Sequence, residues 1–144
     1  MHEELKLDNQ LCFRLYTASR LVTQAYRPLL EKLNITYPQY LVMMILWEND
    51  NVCISTITER LLLETNTVTP LLKRMEDQGL IQRKPGKGDA RQKIISLTAK
   101  GKSLQNKAVK VPSCLVNDMS KKHVNLKELG SIVPVLDNLI HALK

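Results

Sequence analysis

The sequence predicts a mostly α-helical fold with one small β-hairpin, and two observations between residues 54 and 98 predict it. The first is a short helical pattern from Thr56 to Leu62, followed after a turn by apolar residues that recur at helical spacing. These residues are Val68, Leu71, Leu72 and Met75. The second is a pair of β-prone runs, Leu80 to Lys84 and Lys93 to Thr98, around a polar loop too long for a tight hairpin. Helix, turn, helix and projecting loop together predict a winged helix-turn-helix.

A long first helix precedes this unit. Asp8 or Asn9 can cap it, because their side chains can accept the unpaired amides of a first turn. Its predicted apolar face consists of Leu11, Leu15, Ala18, Val22, Ala25, Tyr26, Leu29 and Leu33. Pro28 predicts either a kink or the last turns of this helix.

A second helix should begin at Tyr37 and end near Glu48. Thr36 and Gln39 have the spacing of a capping box, and Pro38 is tolerated in a first turn. We expect the buried side of this helix to contain Tyr40, Leu41, Met44 and Trp47.

The two helices of the predicted helix-turn-helix have their own boundary signals. Ser55 or Thr56 can cap the first of them, with Glu59 completing a capping box. Gly79 ends the second as a left-handed cap would. The second helix carries polar residues on its other sides, which can reach the edges of DNA bases. These are Thr65, Asn66, Thr67, Thr69, Lys73 and Arg74.

Two further helices are predicted after the hairpin. Thr98 caps one that runs to about Asp118 with a bend at Pro112. Asn125 and Glu128 cap the last one, which Pro134 can kink. Its apolar stripe is wide: Leu129, Ile132, Val133, Leu136, Leu139, Ile140 and Leu143. Such a stripe has to be covered, either by a second copy of the chain or by folding back onto its own core.

Positive charge is concentrated in the predicted helix-turn-helix and hairpin. The window from Thr69 to Lys102 contains nine basic residues and three acidic ones, which accounts for +6 of the formal net charge of +7. A basic patch on one helix and one loop is typical of phosphate contact, although a solvated surface gives the same composition. Its coincidence with a helix-turn-helix pattern favours double-stranded DNA.

Composition excludes several other classes of protein. The 144 residues suffice for one domain with a real core, and 44% hydrophobic residues exclude general disorder. The longest apolar run, Tyr40 to Trp47, is too short to span a membrane, and the start resembles no secretory signal, so we expect a cytoplasmic protein. Cys12, Cys53 and Cys114 lie far apart and the three histidines lack ligand spacing, so we expect neither a metal nor a cofactor.

Three segments resemble the MarR family of dimeric winged-helix repressors, and within it the OhrR-like branch of organic hydroperoxide sensors. They are residues 8–13 with Tyr16, residues 33–41, and residues 67–76. The first two segments are specific to the branch, whereas the third and the wing suit the wider family.

The resemblance implies a role for several residues. It implies that Cys12 is the oxidisable sensor, that Tyr26 and Tyr37 form hydrogen bonds to it, and that Arg91 enters the minor groove with support from Asp89. Lys87 lies in the same wing loop. The chain departs from the branch at Ala90, where an acidic residue is usual, and at Asn66, where a small residue is usual.

Physical chemistry supports a reactive Cys12. In the first turns of the first helix, unpaired amides and the helix dipole favour a thiolate. Tyr16 lies one turn further on and can reach Cys12, whereas Tyr26 is about 21 Å away along a continuous helix. A contact between Tyr26 and Cys12 therefore requires two subunits. The alternative is an ordinary buried thiol.

Cys114 has two possible roles. Some sensors of this branch close a disulfide between subunits with a second cysteine after the wing, and others react with a small thiol instead. Cys114 falls in the corresponding region. We expect Cys53 to be structural.

These inferences predict one domain over residues 1–144, with a winged helix-turn-helix at about 37–98 and dimerisation helices at about 8–33 and 99–143. The predicted function is a homodimeric repressor that binds a pseudo-palindromic operator and releases it when an organic hydroperoxide oxidises Cys12. One alternative is a repressor released by a reversibly bound phenolic ligand. Another is a thiol peroxidase, which leaves the DNA-binding pattern unexplained.

Overall fold

The computed structural model describes residues 1–89 and 91–144, and Ala90 lies outside the described residues. Two short 3₁₀ turns precede the first helix. The elements then follow in the order α1 (Leu11–Glu31), α2 (Tyr37–Glu48), β1 (Val52–Cys53), α3 (Ile54–Leu61), α4 (Thr65–Asp77), β2 (Ile81–Pro85), β3 (Lys93–Leu97), α5 (Ala99–Ala108), α6 (Val111–Lys121), α7 (Leu126–Ser131) and α8 (Val133–Leu143). The predicted class, mostly helical with a small β-hairpin, is confirmed.

Helix α1 is continuous through Pro28 and begins later than predicted. Its N-cap is Gln10, without a side-chain capping bond, so the predicted cap at Asp8 or Asn9 is wrong. The Asn9 amide instead donates to the carbonyl of Glu3 within the preceding 3₁₀ turns. Leu30 is the one buried residue of α1, because the first half of the predicted apolar face projects beyond the core of the protomer.

Helix α2 forms the centre of the core. The predicted capping box is confirmed, with Thr36 and Gln39 each accepting from the backbone amide of the other. Of the predicted buried side, Tyr40 is buried, but Leu41, Met44 and Trp47 are only half-buried, because α2 is apolar almost all around and turns its other faces to the core. Its buried residues are Gln39, Tyr40, Val42, Met43, Ile45 and Leu46.

Helices α3 and α4 form the predicted helix-turn-helix. The cap predicted at Ser55 or Thr56 is wrong, because α3 already begins at Ile54 after Cys53. The turn contains Leu62 in the left-handed conformation (φ 54°), and the buried face of α4 is the predicted one. Gly79 (φ 76°) ends α4 as predicted: its amide donates to the Glu76 carbonyl and the Leu80 amide to the Met75 carbonyl, which is a Schellman motif.

Strands β2 and β3 form the predicted hairpin within one residue of the expected bounds, pairing antiparallel from Ile81 opposite Leu97 to Pro85 opposite Lys93. Strand β1, which was not predicted, has two residues and pairs with the other edge of β3. This third strand connects the start of α3 to the middle of β3, at Ile94 and Ile95. The loop between β2 and β3, of which residues 86–89, 91 and 92 are described, is called the wing below.

The helices after the hairpin are broken where bends were predicted. Thr98 caps α5 as expected, but the chain breaks at Val109 and Lys110, and Pro112 lies in the first turn of α6. Asn125 caps α7 by accepting from the Glu128 amide. The predicted last helix is likewise divided at Ile132, with Pro134 in the first turn of α8.

Two regions of the protomer leave apolar residues uncovered. No residue of α7 or α8 is buried among the described residues, so folding back of the terminal stripe onto its own core does not occur. The first half of α1 is similarly open, with Leu11 69% exposed. Within the described residues, no helix is both long and apolar enough to cross a membrane.

Candidate DNA-binding surface and sensor site

The polar face of α4 points away from the core. Thr65, Asn66 and Thr67 occupy its first turn and are exposed, as is Thr69. Val68 and Leu72 on the opposite face are fully buried, which fixes the rotation of the helix. The predicted base-contacting side chains are therefore presented together at one end of a rigidly seated helix.

Arg83 forms an ion pair with another residue of the protomer, Glu76. Its guanidinium lies 3.2 and 3.4 Å from the two carboxylate oxygens of Glu76, and its backbone amide donates to the same carboxylate. The hydrogen bond from Arg83 holds the pKa of Glu76 below its ordinary value, against the smaller opposing effect of burial. This ion pair joins α4 to β2 and holds the hairpin against the helix.

Lys73 and Arg74 differ in their surroundings. The Lys73 ammonium lies 3.1 Å from the Asp77 carboxylate, and both side chains are more than half exposed. Exposed pairs of this kind are weak, so Lys73 can still turn to a phosphate. Arg74 is exposed, with no salt bridge to any residue that the structure describes.

The wing carries exposed Lys87, Asp89 and Arg91. The Asp89 carboxylate accepts a hydrogen bond of 2.9 Å from the backbone amide of Arg91. Asp89 thus orients the Arg91 backbone and leaves the guanidinium free to project. The departure at Ala90 lies outside the described residues.

Cys12 is the second residue of α1 and is exposed in the protomer. Tyr16, one turn further on, is 69% exposed. Because α1 is unbroken from Leu11 to Glu31, Cys12 and Tyr26 of one chain remain about 21 Å apart. Within a protomer, the residues predicted to form the sensor site therefore lie in two separate groups, and the first consists of Cys12 and Tyr16.

The second group is a cluster of tyrosine rings. Tyr26 of α1 lies with its ring centroid 4.8 Å from that of Tyr37 and 5.9 Å from that of Tyr40, both of α2. Burial, followed by the neighbouring Tyr37 and Tyr40, raises the pKa of Tyr26 above its ordinary value. Burial and Tyr37 likewise raise the pKa of Tyr40. The hydroxyls of Tyr26 and Tyr40 thus remain protonated donors at neutral pH.

Sequence reasoning assigned Tyr40 to the core and missed its place in this cluster. Tyr40 is 3% exposed and lies beneath the other two rings. The three-residue spacing of Tyr37 and Tyr40 puts both on one side of α2, and that spacing is the signal that was available.

The other two cysteines lie in different surroundings. Cys53 is half-buried at the junction of β1 and α3. Cys114 is exposed on α6 and lines a cavity of about 330 Å³ together with Leu29 of α1 and Leu33 of the turn after it. Since Leu29 is seventeen residues after Cys12 on a continuous helix, about 26 Å separates that cavity from Cys12 of the same chain.

The sequence and the structure are both similar to those of known DNA-binding regulators. The model of the MarR family matches residues 35–93. The chain is 46% identical to the organic hydroperoxide resistance transcriptional regulator of Bacillus subtilis, over 96% of this chain and 95% of that protein. It is similar to reduced AbfR of Staphylococcus epidermidis bound to DNA (35% identity, TM-score 0.79, 99% of each chain). It is also similar to the disulfide-formed state of AbfR (37% identity, TM-score 0.68, 96% of this chain and 95% of that one).

Proposed function

The chain belongs to the MarR family, and from that premise we propose that it is a DNA-binding transcriptional repressor released from its operator by organic hydroperoxides. The observation that carries the proposal is that one protomer presents two kinds of surface. One is the exposed polar face of α4 together with the wing, and the other is a tyrosine cluster that lies far from Cys12 of the same chain. Proteins of this family are DNA-binding regulators and not enzymes.

The DNA-binding surface consists of the polar face of α4 and the wing. In this proposal Thr65, Asn66, Thr67 and Thr69 meet base edges in the major groove, because threonine and asparagine side chains can donate and accept there. Lys73, Arg74 and Lys87 contact phosphates, and Arg91, positioned by Asp89, enters the minor groove.

The repressor acts as a homodimer. The uncovered apolar residues of α7, α8 and the first half of α1 provide the surface that a second copy covers. A two-fold dimer places two α4 helices about one DNA turn, about 34 Å, apart, which fits a pseudo-palindromic operator. In this arrangement residues 37–98 bind DNA, and the helices at about 8–33 and 99–143 hold the dimer together in one domain.

Sensing takes place where the two chains meet. Cys12 of one chain lies against Tyr26 and Tyr37 of the other, since Tyr26 and Tyr37 of its own chain are beyond reach. Tyr16 extends the site by one helical turn. The Cys12 thiolate attacks one peroxide oxygen, the O–O bond breaks, the other oxygen leaves as the alcohol, and a sulfenic acid remains.

Cys114 is a candidate partner for oxidised Cys12. The distance of about 26 Å along α1 excludes a bond within one protomer, so a disulfide between them joins the two subunits. The disulfide-formed state of AbfR supports this route for a related protein. Reaction of the sulfenic acid with a small thiol is the alternative. A cytoplasmic location, where cysteines are reduced at rest, suits either route.

A gel-shift series with reduced protein, protein treated with an organic hydroperoxide and Cys12→Ser protein tests the proposal. We expect reduced wild type and Cys12→Ser to bind alike, and treated wild type to lose the operator. Equal binding by treated and reduced wild type would remove the redox mechanism.

A second candidate function is release by a reversibly bound phenolic ligand. The cavity of about 330 Å³ beside Leu29, Leu33 and Val111 is of a size that suits a small molecule. Adding phenolic compounds to reduced protein in the same gel-shift assay distinguishes the two candidates, because this mechanism needs no peroxide.

A further inference from the structure

The first turn of α2 carries a buried amide side chain, that of Gln39, which lies between Tyr37 and Tyr40 in the sequence. Gln39 is 4% exposed and follows Tyr37 by two residues. Its side-chain oxygen accepts from the Thr36 backbone amide, and its side-chain nitrogen donates to the side-chain oxygen of Gln78 at 2.8 Å. The oxygen of this side chain therefore completes the cap of α2, and its nitrogen forms a hydrogen bond at the end of α4.

Gln78 continues this chain of hydrogen bonds. It is the C-cap of α4, and its side-chain nitrogen donates to the Asn34 carbonyl at 3.0 Å. Lys100 of α5 donates to its backbone carbonyl at 2.8 Å. The end of α1, the start of α2 and the end of α4 thus meet through two glutamine side chains.

These segments also share apolar contacts, since Ile35, Tyr40, Leu71 and Met75 belong to one buried core. Beside the two glutamines lies a surface cleft of about 520 Å³, lined among others by Glu31, Asn34, Ile35, Gln39, Arg74 and Gln78. A buried polar group strongly favours keeping its partners, because an unpaired one loses water without compensation. The hydrogen bonds of Gln39 and Gln78 therefore form a polar link from the start of α2, which carries Tyr37, to the end of α4, in addition to the apolar contacts of the core.

We propose that Gln39 and Gln78 are positioning residues that transmit a displacement of the tyrosine cluster to the DNA-binding helix α4. A shift of Tyr37 and Tyr40 moves the start of α2, Gln39 moves with it, and the Gln78 cap draws the end of α4 along. This inference rests on the proposed function, since the displacement arises when Cys12 is oxidised.

Gln78→Met tests the proposal, because methionine keeps the length of the side chain and removes both of its hydrogen bonds. Two quantities are measured on the full-length dimer. One is the rate at which an organic hydroperoxide oxidises Cys12, followed by trapping the sulfenic acid. The other is the ratio of the operator Kd of oxidised protein to that of reduced protein.

We expect Cys12 of Gln78→Met to oxidise at the wild-type rate, while the Kd ratio falls by about fivefold or more, the lower end of ordinary allosteric couplings. A purely structural role would weaken the operator affinity of both states equally and leave the ratio unchanged. A ratio that falls by less than about fivefold, or a changed oxidation rate, overturns the proposal. A wild-type ratio near one would instead contradict the proposed function itself.

Two further variants keep the test decisive. Gln78→Glu retains an acceptor for Gln39 but has no donor for the Asn34 carbonyl, so we expect an intermediate ratio, measurable even if Gln78→Met fails to fold. Gln105→Met is the matched control, because Gln105 is exposed on α5 and its side chain forms no hydrogen bond within the described part of the chain. It should behave as wild type.

Discussion

The rings of Tyr26 and Tyr37 are in contact, with centroids 4.8 Å apart, although the two residues belong to different parts of the proposed repressor. Tyr26 lies on α1, a proposed dimerisation helix, and Tyr37 is the first residue of α2 in the DNA-binding part. A cysteine of the second subunit that contacts this pair of rings therefore lies where the dimerisation part and the DNA-binding part meet. The cluster is a place where a change in one sulfur atom can alter the angle between them.

The first prediction concerns these hydroxyls. Tyr26→Phe and Tyr37→Phe should bind the operator as wild type does when reduced, because the rings still pack. Their Cys12 should oxidise about tenfold more slowly, since a hydrogen bond to a charged group contributes about 1.5–3 kcal/mol. Stopped-flow measurement of sulfenic acid formation checks this. Tyr40→Phe is the control: its ring is 3% exposed, so it should oxidise at the wild-type rate.

How much of this site was predictable depends on how local each signal is. The capping box of Thr36 and Gln39 and the left-handed Gly79 involve residues within a few positions of one another, and both were predicted correctly. The two-residue strand β1 exists only because β3 is beside it, so nothing in its own sequence marks it. A strand that forms only by pairing with residues far away in the sequence cannot be recognised from its own few residues.

The same reasoning explains the candidate site. The exposed polar face of α4 follows from helical periodicity alone, and so it was found from sequence. The contact of Tyr40 with Tyr26 and the bond of Gln39 to Gln78 join residues on different helices. Sequence spacing places each residue on a face, but only the packing of α1, α2 and α4 brings those faces together.

The second prediction concerns the wing. Arg91→Ala should weaken binding to all DNA sequences and lower the salt dependence of log K, because a positive charge in the minor groove displaces counterions from the DNA. Titration of operator and random DNA at several salt concentrations measures both effects. Lys121→Ala, which removes a charge from exposed α6 outside the basic patch, is the control and should change neither.

Lys73→Ala and Arg74→Ala extend this prediction to α4. Both should weaken binding, and any loss of discrimination between operator and random DNA should come from substitutions on this helix and not from the wing. Unchanged affinity in all three variants would be incompatible with the proposed DNA-binding surface.

The third prediction concerns assembly. Leu136→Asp places a charge in the terminal apolar stripe and should give monomers that fail on a full operator yet bind a half-site weakly. Sedimentation at micromolar concentration checks the state of assembly. Leu62→Asp is the matched control, because Leu62 is 53% exposed in the turn before α4 and aspartate tolerates its left-handed backbone. A monomeric wild type would contradict the prediction.

The fourth prediction concerns the close packing of α5 against the backbone of Leu80, just before the hairpin. A side chain at Gly101 would overlap the carbonyl oxygen of Leu80. Gly101→Ala should therefore cost about 1–3 kcal/mol and lower the Tm by about 3 °C per kcal/mol. Thermal unfolding followed by circular dichroism measures this.

Gly130→Ala separates this steric effect from the general consequence of adding a methyl group to a helix. A Cβ at Gly130, which also lies within a helix, meets no atom within 4 Å in the protomer. Alanine there should raise the Tm slightly, because it favours helix more than glycine does. If both variants had the same Tm as wild type, the close approach of α5 to Leu80 would be wrong.

The last prediction distinguishes the three cysteines. Cys12→Ser should bind the operator like reduced wild type and ignore organic hydroperoxide, because only a thiolate attacks the peroxide. Cys12 is exposed as the second residue of α1, where the backbone amides have no partner within the helix, whereas Cys114 is the fourth residue of α6 and its amide already donates to the Lys110 carbonyl. Cys53→Ser should still respond. Gel shifts before and after peroxide treatment check both.

Cys114→Ser decides how the oxidised state is completed. Release that becomes dependent on an added small thiol would establish Cys114 as the partner of Cys12, and a dimer-sized band in non-reducing electrophoresis should then vanish in this variant. An unchanged response would assign Cys114 to the surface of α6 alone. If Cys12→Ser releases DNA on peroxide treatment as readily as wild type, the sulfur chemistry is not the signal, and release by a bound phenolic ligand becomes the better explanation.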